Sequence, residues 1–118
     1  MALHNQLGKD GEKLAEQYLV DRGYEIMYKN WRFSHYEIDI IAHRKDMLHI
    51  IEVKTLHKTP VSYPEDAVTK KKFRSLLSAT DEFLNQHPEH RHVQYDILAI
   101  TVLEDHQPEF FLLEDIYL

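Results

Sequence analysis

The sequence predicts a mixed α/β fold with the element order α-β-β-β-α-β-β. Three observations lead there. Two stretches repeat their apolar residues at helical spacing, five others are strand-length runs bounded by turn residues, and the link Arg44-Lys45-Asp46 is too short to join anything but antiparallel neighbours.

Leu7, Leu14, Ala15, Tyr18 and Leu19 place an amphipathic helix over residues 5 to 22, with Gly23 as its stop. Tyr24 to Lys29 alternates weakly and reads as a first strand. Tyr36 to His43 and Met47 to Lys54, rich in Ile and Val, read as the two strands of a hairpin turning on Lys45-Asp46. Lys58-Thr59-Pro60 and Ser62-Tyr63-Pro64 then argue for a loop, with a separate short turn over Glu65 to Val68. Phe73, Leu76, Leu77, Thr80 and Leu84 give a second amphipathic helix, capped by Thr69 and stopped at His87-Pro88. Val93 to Ile100 and Glu109 to Leu113 close the fold as strands.

A chain of 118 residues can bury one substantial core, so residues 1–118 read as one domain. The absence of cysteine excludes disulfides and Cys-based zinc sites and suits a reducing cytoplasm, and the first residues lack a signal-peptide core. No apolar run approaches the roughly 20 residues that cross a bilayer, so no membrane partner is expected. The net charge of -6 argues against a protein that coats nucleic acid indiscriminately. That charge is unevenly spread. Lys54, Lys58, Lys70, Lys71, Lys72 and Arg74 outnumber Glu65 and Asp66, whereas the stretch from Asp81 onward holds nine acids against Arg91.

Side chains alternate along a strand, so Glu37, Asp39 and Ile41 share one face, as do Leu48, Ile50, Glu52 and Lys54. A turn on Lys45-Asp46 pairs Ile41 with Ile50, Asp39 with Glu52 and Glu37 with Lys54, and puts Ile38 with Val53 and Ile40 with Ile51 on the other face. Two carboxylates then stand about 5 Å apart between their Cβ atoms. Protonation of one acid relieves that repulsion, and so does a hard divalent cation such as Mg²⁺. The bland reading is a solvated face with a Glu37–Lys54 pair worth under about 1 kcal/mol. The strands are too apolar on both faces to favour it. Glu12 lies within about 20° of Leu19 around the first helix, at the border of the apolar stripe, where it can reach a groove beside the core.

Gly11-Glu12 with Ala15 and Leu19, Gly23-Tyr24, Asn30-Trp31-Arg32, Glu37-Ile38-Asp39-Ile40-Ile41-Ala42, Glu52-Val53-Lys54-Thr55 and Pro64-Glu65-Asp66-Ala67-Val68 together resemble the YraN-type family of small, uncharacterised bacterial proteins. That family is itself similar to archaeal Holliday-junction resolvases within the PD-(D/E)xK superfamily. The resemblance reaches to about Ile100 and implies a restriction endonuclease-like mixed β-sheet flanked by helices. It implies that Asp39 and Glu52 hold Mg²⁺ (or Mn²⁺) with the Val53 carbonyl, that Glu12 adds a further carboxylate, and that Lys54 orients or helps deprotonate the attacking water. The implied activity is hydrolysis of DNA phosphodiester bonds, on structured or branched DNA, by a homodimer. Relatives often place an arginine after the threonine of the last strand motif, where this chain has Leu56-His57.

Lys70, Lys71, Lys72 and Arg74 cluster at a helix N-terminus, where cations oppose the macrodipole and a phosphate partner would explain them. In related folds a lysine or glutamine on this helix completes the site, so the resemblance offers Lys71 or Lys70 for that role, with a solvated helix face as the equal alternative. A non-cleaving nucleic-acid-binding module that retains the nuclease fold is the rival reading, and a protein-interaction domain using the acidic C-terminal third is a third. His87, His90 and His92 read as a solvated loop, and Trp31 as a core anchor. Asp96, in an apolar strand, needs a buried partner or an edge position and reads as a structural residue fixing a basic side chain near the site.

Overall fold

The computed structural model describes residues 2–57, 70–102 and 107–116, with side chains from residue 10 to 55 in the first stretch. Helix α1 (Ala2–Asp21) leads into β1 (Glu25–Phe33), β2 (Tyr36–Arg44) and β3 (Met47–His57), followed by α2 (Lys70–Gln86), β4 (Val93–Val102) and β5 (Glu109–Leu113). This is the order the sequence predicts, with β1 to β4 each running past its expected end. The expected loop from Lys58 to Pro64, the turn over Glu65 to Val68 and the Thr69 cap lie outside the described residues.

Helix α1 stops because Gly23 takes a left-handed φ of 86° that costs glycine little. Its N–H donates to the Val20 carbonyl and that of Tyr24 to the Leu19 carbonyl, the paired bonds of a Schellman cap. Leu19 and Tyr24 then enter the same apolar cluster. At the other end of the β2–β3 hairpin, Lys45 and Asp46 both have positive φ, the geometry of a two-residue turn whose twist matches the strands.

The described strands form one sheet in the order β1-β2-β3-β4-β5. All neighbours are antiparallel except β3 and β4, which run parallel from Leu48/Val93 to His57/Val102. Parallel strands need a crossover, and α2 lies within it. The helices cover opposite faces. Ala15 and Leu19 of α1 pack with Ile40, Ala42, Ile51, Leu98 and Ile100, and Phe73, Leu76, Ala79 and Phe83 of α2 pack with Ile38, Ile41, Leu48, Ile50 and Ile97. The central strands are therefore apolar on both faces, which is why Ile40-Ile41 and Ile50-Ile51 run without interruption. Two layers of helix over a mixed sheet in this order match a restriction-endonuclease-like fold. Among the described residues no helix is long and apolar enough to cross a membrane.

Asp96 has the buried partner its setting demands. Its Oδ2 lies 2.7 Å from His49 Nδ1, and its Oδ1 accepts from Gln94 Nε2 at 2.9 Å and from the Asp115 N–H at 3.0 Å. Both members of the His49–Asp96 pair are almost wholly buried. The bond ties β3 to β4 on the α1 face, and the Asp115 contact fastens the chain beyond β5. The basic side chain that Asp96 fixes is thus His49, three residues and about 10 Å along β3 from Glu52, and on the opposite face. Asp96→Ala strands the imidazole, the Gln94 amide and the Asp115 N–H in the interior, so urea denaturation should show a loss of about 3–5 kcal/mol. A loss below about 1 kcal/mol would mean that the buried pair contributes nothing net.

Candidate functional site

The β2–β3 ladder follows the expected register from Arg44/Met47 to Ile40/Ile51 and stops there. Asp39 and Glu52 are the next residues on each strand, so the expected pairing does not extend to them as a ladder pair. The cause lies in β2. Ile38 packs in the α2-side cluster with Ile41, three residues on, so strict alternation is broken between them and Asp39 occupies the break. Opposite it on β1, between the pairs Lys29/Ile40 and Trp31/Ile38, Asn30 takes a left-handed φ of 53°, which asparagine tolerates better than most residues. Freed from the pleat, the Asp39 carboxylate turns toward β3, where its Oδ2 accepts the Val53 N–H at 2.9 Å. A side chain replaces the carbonyl that the ladder would have supplied.

Glu52 points to the α2 face, only 3 % exposed. A buried carboxylate requires a counter-charge, and Lys72 of α2 supplies it through a direct Nζ–Oε1 ion pair. Burial, then the neighbouring Glu52, pushes the Asp39 carboxyl up to about 7, against the opposing influence of the Val53 N–H and Lys72. Burial works against the Lys72 ammonium, but its bond to Glu52 and the charges of Asp39 and Glu37 outweigh this and raise its pKa.

Glu12 reaches the same place from the other side of the sheet. Together with Lys29, Asn30, Asp39, Ile40 and Val53 it lines a shallow, half-open pocket whose enclosed space is about that of one water. Gly11 makes this approach feasible. It is buried against β3, and a Cβ there would collide with Thr55 Oγ1, so only glycine lets α1 lie this close. Lys29 is held beside the pocket by Glu16 of α1 at 3.1 Å.

The structure therefore brings Asp39, Glu52, Val53 and Lys72 together, with Glu12 across the pocket from Asp39. Lys54 is exposed on the strand just beyond, and Lys70, Lys71 and Arg74 are exposed along α2. Among the described residues no three His, Cys, Asp or Glu side chains converge with the geometry to hold a metal ion by themselves. Besides the Asp39–Glu52 pair, the expected Ile38–Val53 pair is absent because Ile38 turns to the α2 face, and two further expectations are corrected. Glu37 pairs with Arg32 at 3.1 Å and not with Lys54, because Arg32 is its neighbour in the β1–β2 ladder while the β2–β3 ladder has already ended. The helix lysine that enters the site is Lys72, not Lys71 or Lys70. Its signal was in the sequence, since 72, 76, 79 and 83 follow one helical stripe whose other members are buried. Lys29 and Asn30 were not anticipated as lining residues.

The chain matches the model of the family described as Uncharacterised protein family UPF0102 over residues 11–100, a span that runs from Gly11 to Ile100 and includes every site residue named above. It is similar to a UPF0102 protein of Phocaeicola vulgatus, 43% identical over 101 residues that cover 86% of this chain and 84% of that protein. A UPF0102 protein of Parabacteroides distasonis is 40% identical over 104 residues, 88% and 86% of the two chains. One from Christiangramia forsetii is 38% identical over 117 residues, 94% and 98% of the two.

Two outcomes test this geometry. Folded Asp39 keeps its proton up to about pH 7, whereas an unfolded aspartate loses it near 3.8, so the native state binds more protons between those values and stability falls as pH rises through them. Asp39→Asn keeps an acceptor for the Val53 N–H and removes the titration. In EDTA the variant should be more stable than the native sequence at pH 8, with the gap closing toward pH 4; a gap independent of pH would assign the cost to something other than Asp39. Gly11→Ala should cost about 1–3 kcal/mol by overpacking, and adding Thr55→Ala should recover most of it. Independent, additive losses in the double variant would reject the close approach.

Proposed function

The chain belongs to the UPF0102 family, and from the geometry of its site we propose that it is a nucleic-acid-binding module built on a restriction-endonuclease-like fold. The observation that carries this reading is the surplus of cations around the carboxylate pair. Lys72 answers Glu52, while Lys54 on the same strand and Lys70, Lys71 and Arg74 on the same helix are exposed, and among the described residues none of these four forms an ion pair. Three of them stand on the first turns of α2, where the helix dipole disfavours them. A polyanion satisfies both the cations and the helix terminus. In a chain of net charge -6, such a local positive arc directs phosphate to one place and repels it elsewhere.

A second reading, favoured by the Asp39–Glu52 pair itself, is a divalent-metal-dependent nuclease of the resolvase-like kind. The donor chemistry fits Mg²⁺ or Mn²⁺. Mg²⁺ is ordinarily held by one or two carboxylates with waters and substrate phosphate completing its shell, so a two-carboxylate site suits it once nucleic acid is present. Asp39 and Glu52 would hold the ion with the Val53 carbonyl, Glu12 would act from across the pocket, and Lys54 would orient the attacking water. When bound, the ion supplies a nucleophilic water near neutral pH and neutralises charge that builds on phosphorus. Structured or branched DNA and a homodimer presenting two sites follow from the resemblance to resolvases.

Binding to junction, flap, single-stranded and duplex DNA should be measured by anisotropy in EDTA over a range of salt, then cleavage of the same DNAs with Mg²⁺ or Mn²⁺. The binding module predicts salt-dependent association without cleavage, and each of Lys70→Ala, Lys71→Ala and Arg74→Ala should lower the salt slope by somewhat less than about one unit. Cleavage that Asp39→Ala and Lys54→Ala abolish would promote the enzyme. No association with any of these DNAs at low salt sinks both readings.

A further inference from the structure

Glu52 and Lys72 differ sharply in their surroundings. The Glu52 side chain is 4% exposed, whereas that of Lys72 is 48% exposed. The carboxylate is therefore fixed in the sheet, while the ammonium comes from a half-exposed side chain on a flexible four-carbon stem. Lys72 stands on the first turn of α2 with Lys70 and Lys71, at the helix end to which phosphate is drawn.

An ammonium and a hard divalent cation compete for the same carboxylate, because each needs the oxygens that face the site. Asp39 has one oxygen engaged by the Val53 N–H, so Glu52 is the ligand whose release matters most. Phosphate does two things here at once: it attracts the Lys72 ammonium, and it offers the oxygens that complete the coordination of a small divalent ion.

We propose that Lys72 is a displaceable counter-ion for Glu52, drawn off by nucleic-acid phosphate, so that a divalent cation and nucleic acid enter this site with positive coupling. The proposal rests on the reading that the cationic arc binds nucleic acid. Coupling is reciprocal, so the ion must strengthen nucleic-acid binding by the same factor by which nucleic acid strengthens ion binding. In the free protein Lys72 holds the carboxylates closed to metal. In the complex it pairs with the backbone, and Glu52 is open.

The test is Mn²⁺ titration followed by electron paramagnetic resonance, with and without a saturating phosphorothioate oligonucleotide that resists hydrolysis. In the wild type the oligonucleotide should raise Mn²⁺ affinity by about tenfold or more, within the usual range of such couplings. Free Lys72→Met should bind Mn²⁺ about tenfold more tightly than the free wild type, and the oligonucleotide should then add much less. Arg91→Met serves as the control: it removes an exposed cation outside the arc that does not touch Glu52, so it should leave both oligonucleotide binding and the free-protein Mn²⁺ affinity unchanged. If Lys72→Met does not fold by circular dichroism, Lys72→Gln, which can still donate to Glu52, carries the same comparison. Equal Mn²⁺ affinity in the free wild type and the folded Lys72 variant overturns the proposal, as does the same oligonucleotide effect in both. A wild type that binds no oligonucleotide at low salt overturns the underlying reading and the coupling with it, an outcome separable because oligonucleotide binding is measured first, without metal.

Discussion

Two carboxylates held side by side where water hardly reaches set the terms for the rest of this structure. Asp39 and Glu52 sit at the point where β2 and β3 part, and each is managed by a different device. Asp39 is held by a main-chain N–H and by its own reluctance to ionise, and Glu52 by an ammonium from a helix on the far side of the crossover. Neither device removes the repulsion; both contain it. A pair left uncompensated at this depth would cost several kcal/mol, which the hydrophobic core around it would have to offset.

The scaffold is arranged so that this cost can be carried. Isoleucines on both faces of β2 and β3 bury the middle of the sheet, with α1 and α2 closing it from either side. The His49–Asp96 bond fastens β3 to β4 at one end, which leaves the other end, at Glu52, free to carry residues placed for something besides packing. Gly11 gives up helix stability, about 1 kcal/mol relative to alanine, so that α1 can approach β3 and bring Glu12 to the pocket. Local sacrifices of this kind gather around one end of the hairpin.

Much of this was legible in the sequence. Period and turn chemistry are local properties, so the element order, the stop at Gly23 and the register set by Lys45-Asp46 could be read from neighbouring residues alone. Alternation misled where it was broken: the pattern of β2 gives no sign that the pleat fails between Ile38 and Ile41, because every residue there except Asp39 is apolar whichever face it takes. The partner of Glu37 was missed for the same reason, since Arg32 becomes its neighbour only once β1 is laid against β2. Lys72 was visible as one of a cationic run, and its place on the stripe of Leu76, Ala79 and Phe83 marked it as the inward one. What the sequence could not supply was the crossover that lays that stripe over Glu52. The His49–Asp96 bond depends on the parallel pairing of β3 with β4, forty-seven positions apart, which no local pattern encodes.

The binding module and the nuclease considered for this chain use the same residues and differ in which cation balances the carboxylates. An ammonium neutralises Glu52, but it has no open coordination position and cannot lower the pKa of a bound water; a divalent ion does both. With Lys72 on Glu52 the site is a surface that phosphate can approach through the surrounding lysines, and nothing in it can generate a nucleophile. Exchange of one monovalent group for a divalent ion changes what the site can do without moving the strands. The proposed exchange is favourable only when something else takes the ammonium, and a phosphate brought in by the lysines of α2 would be a strong acceptor for it. On the proposed exchange, the chemistry available to the carboxylate pair would be set by whether nucleic acid is already bound.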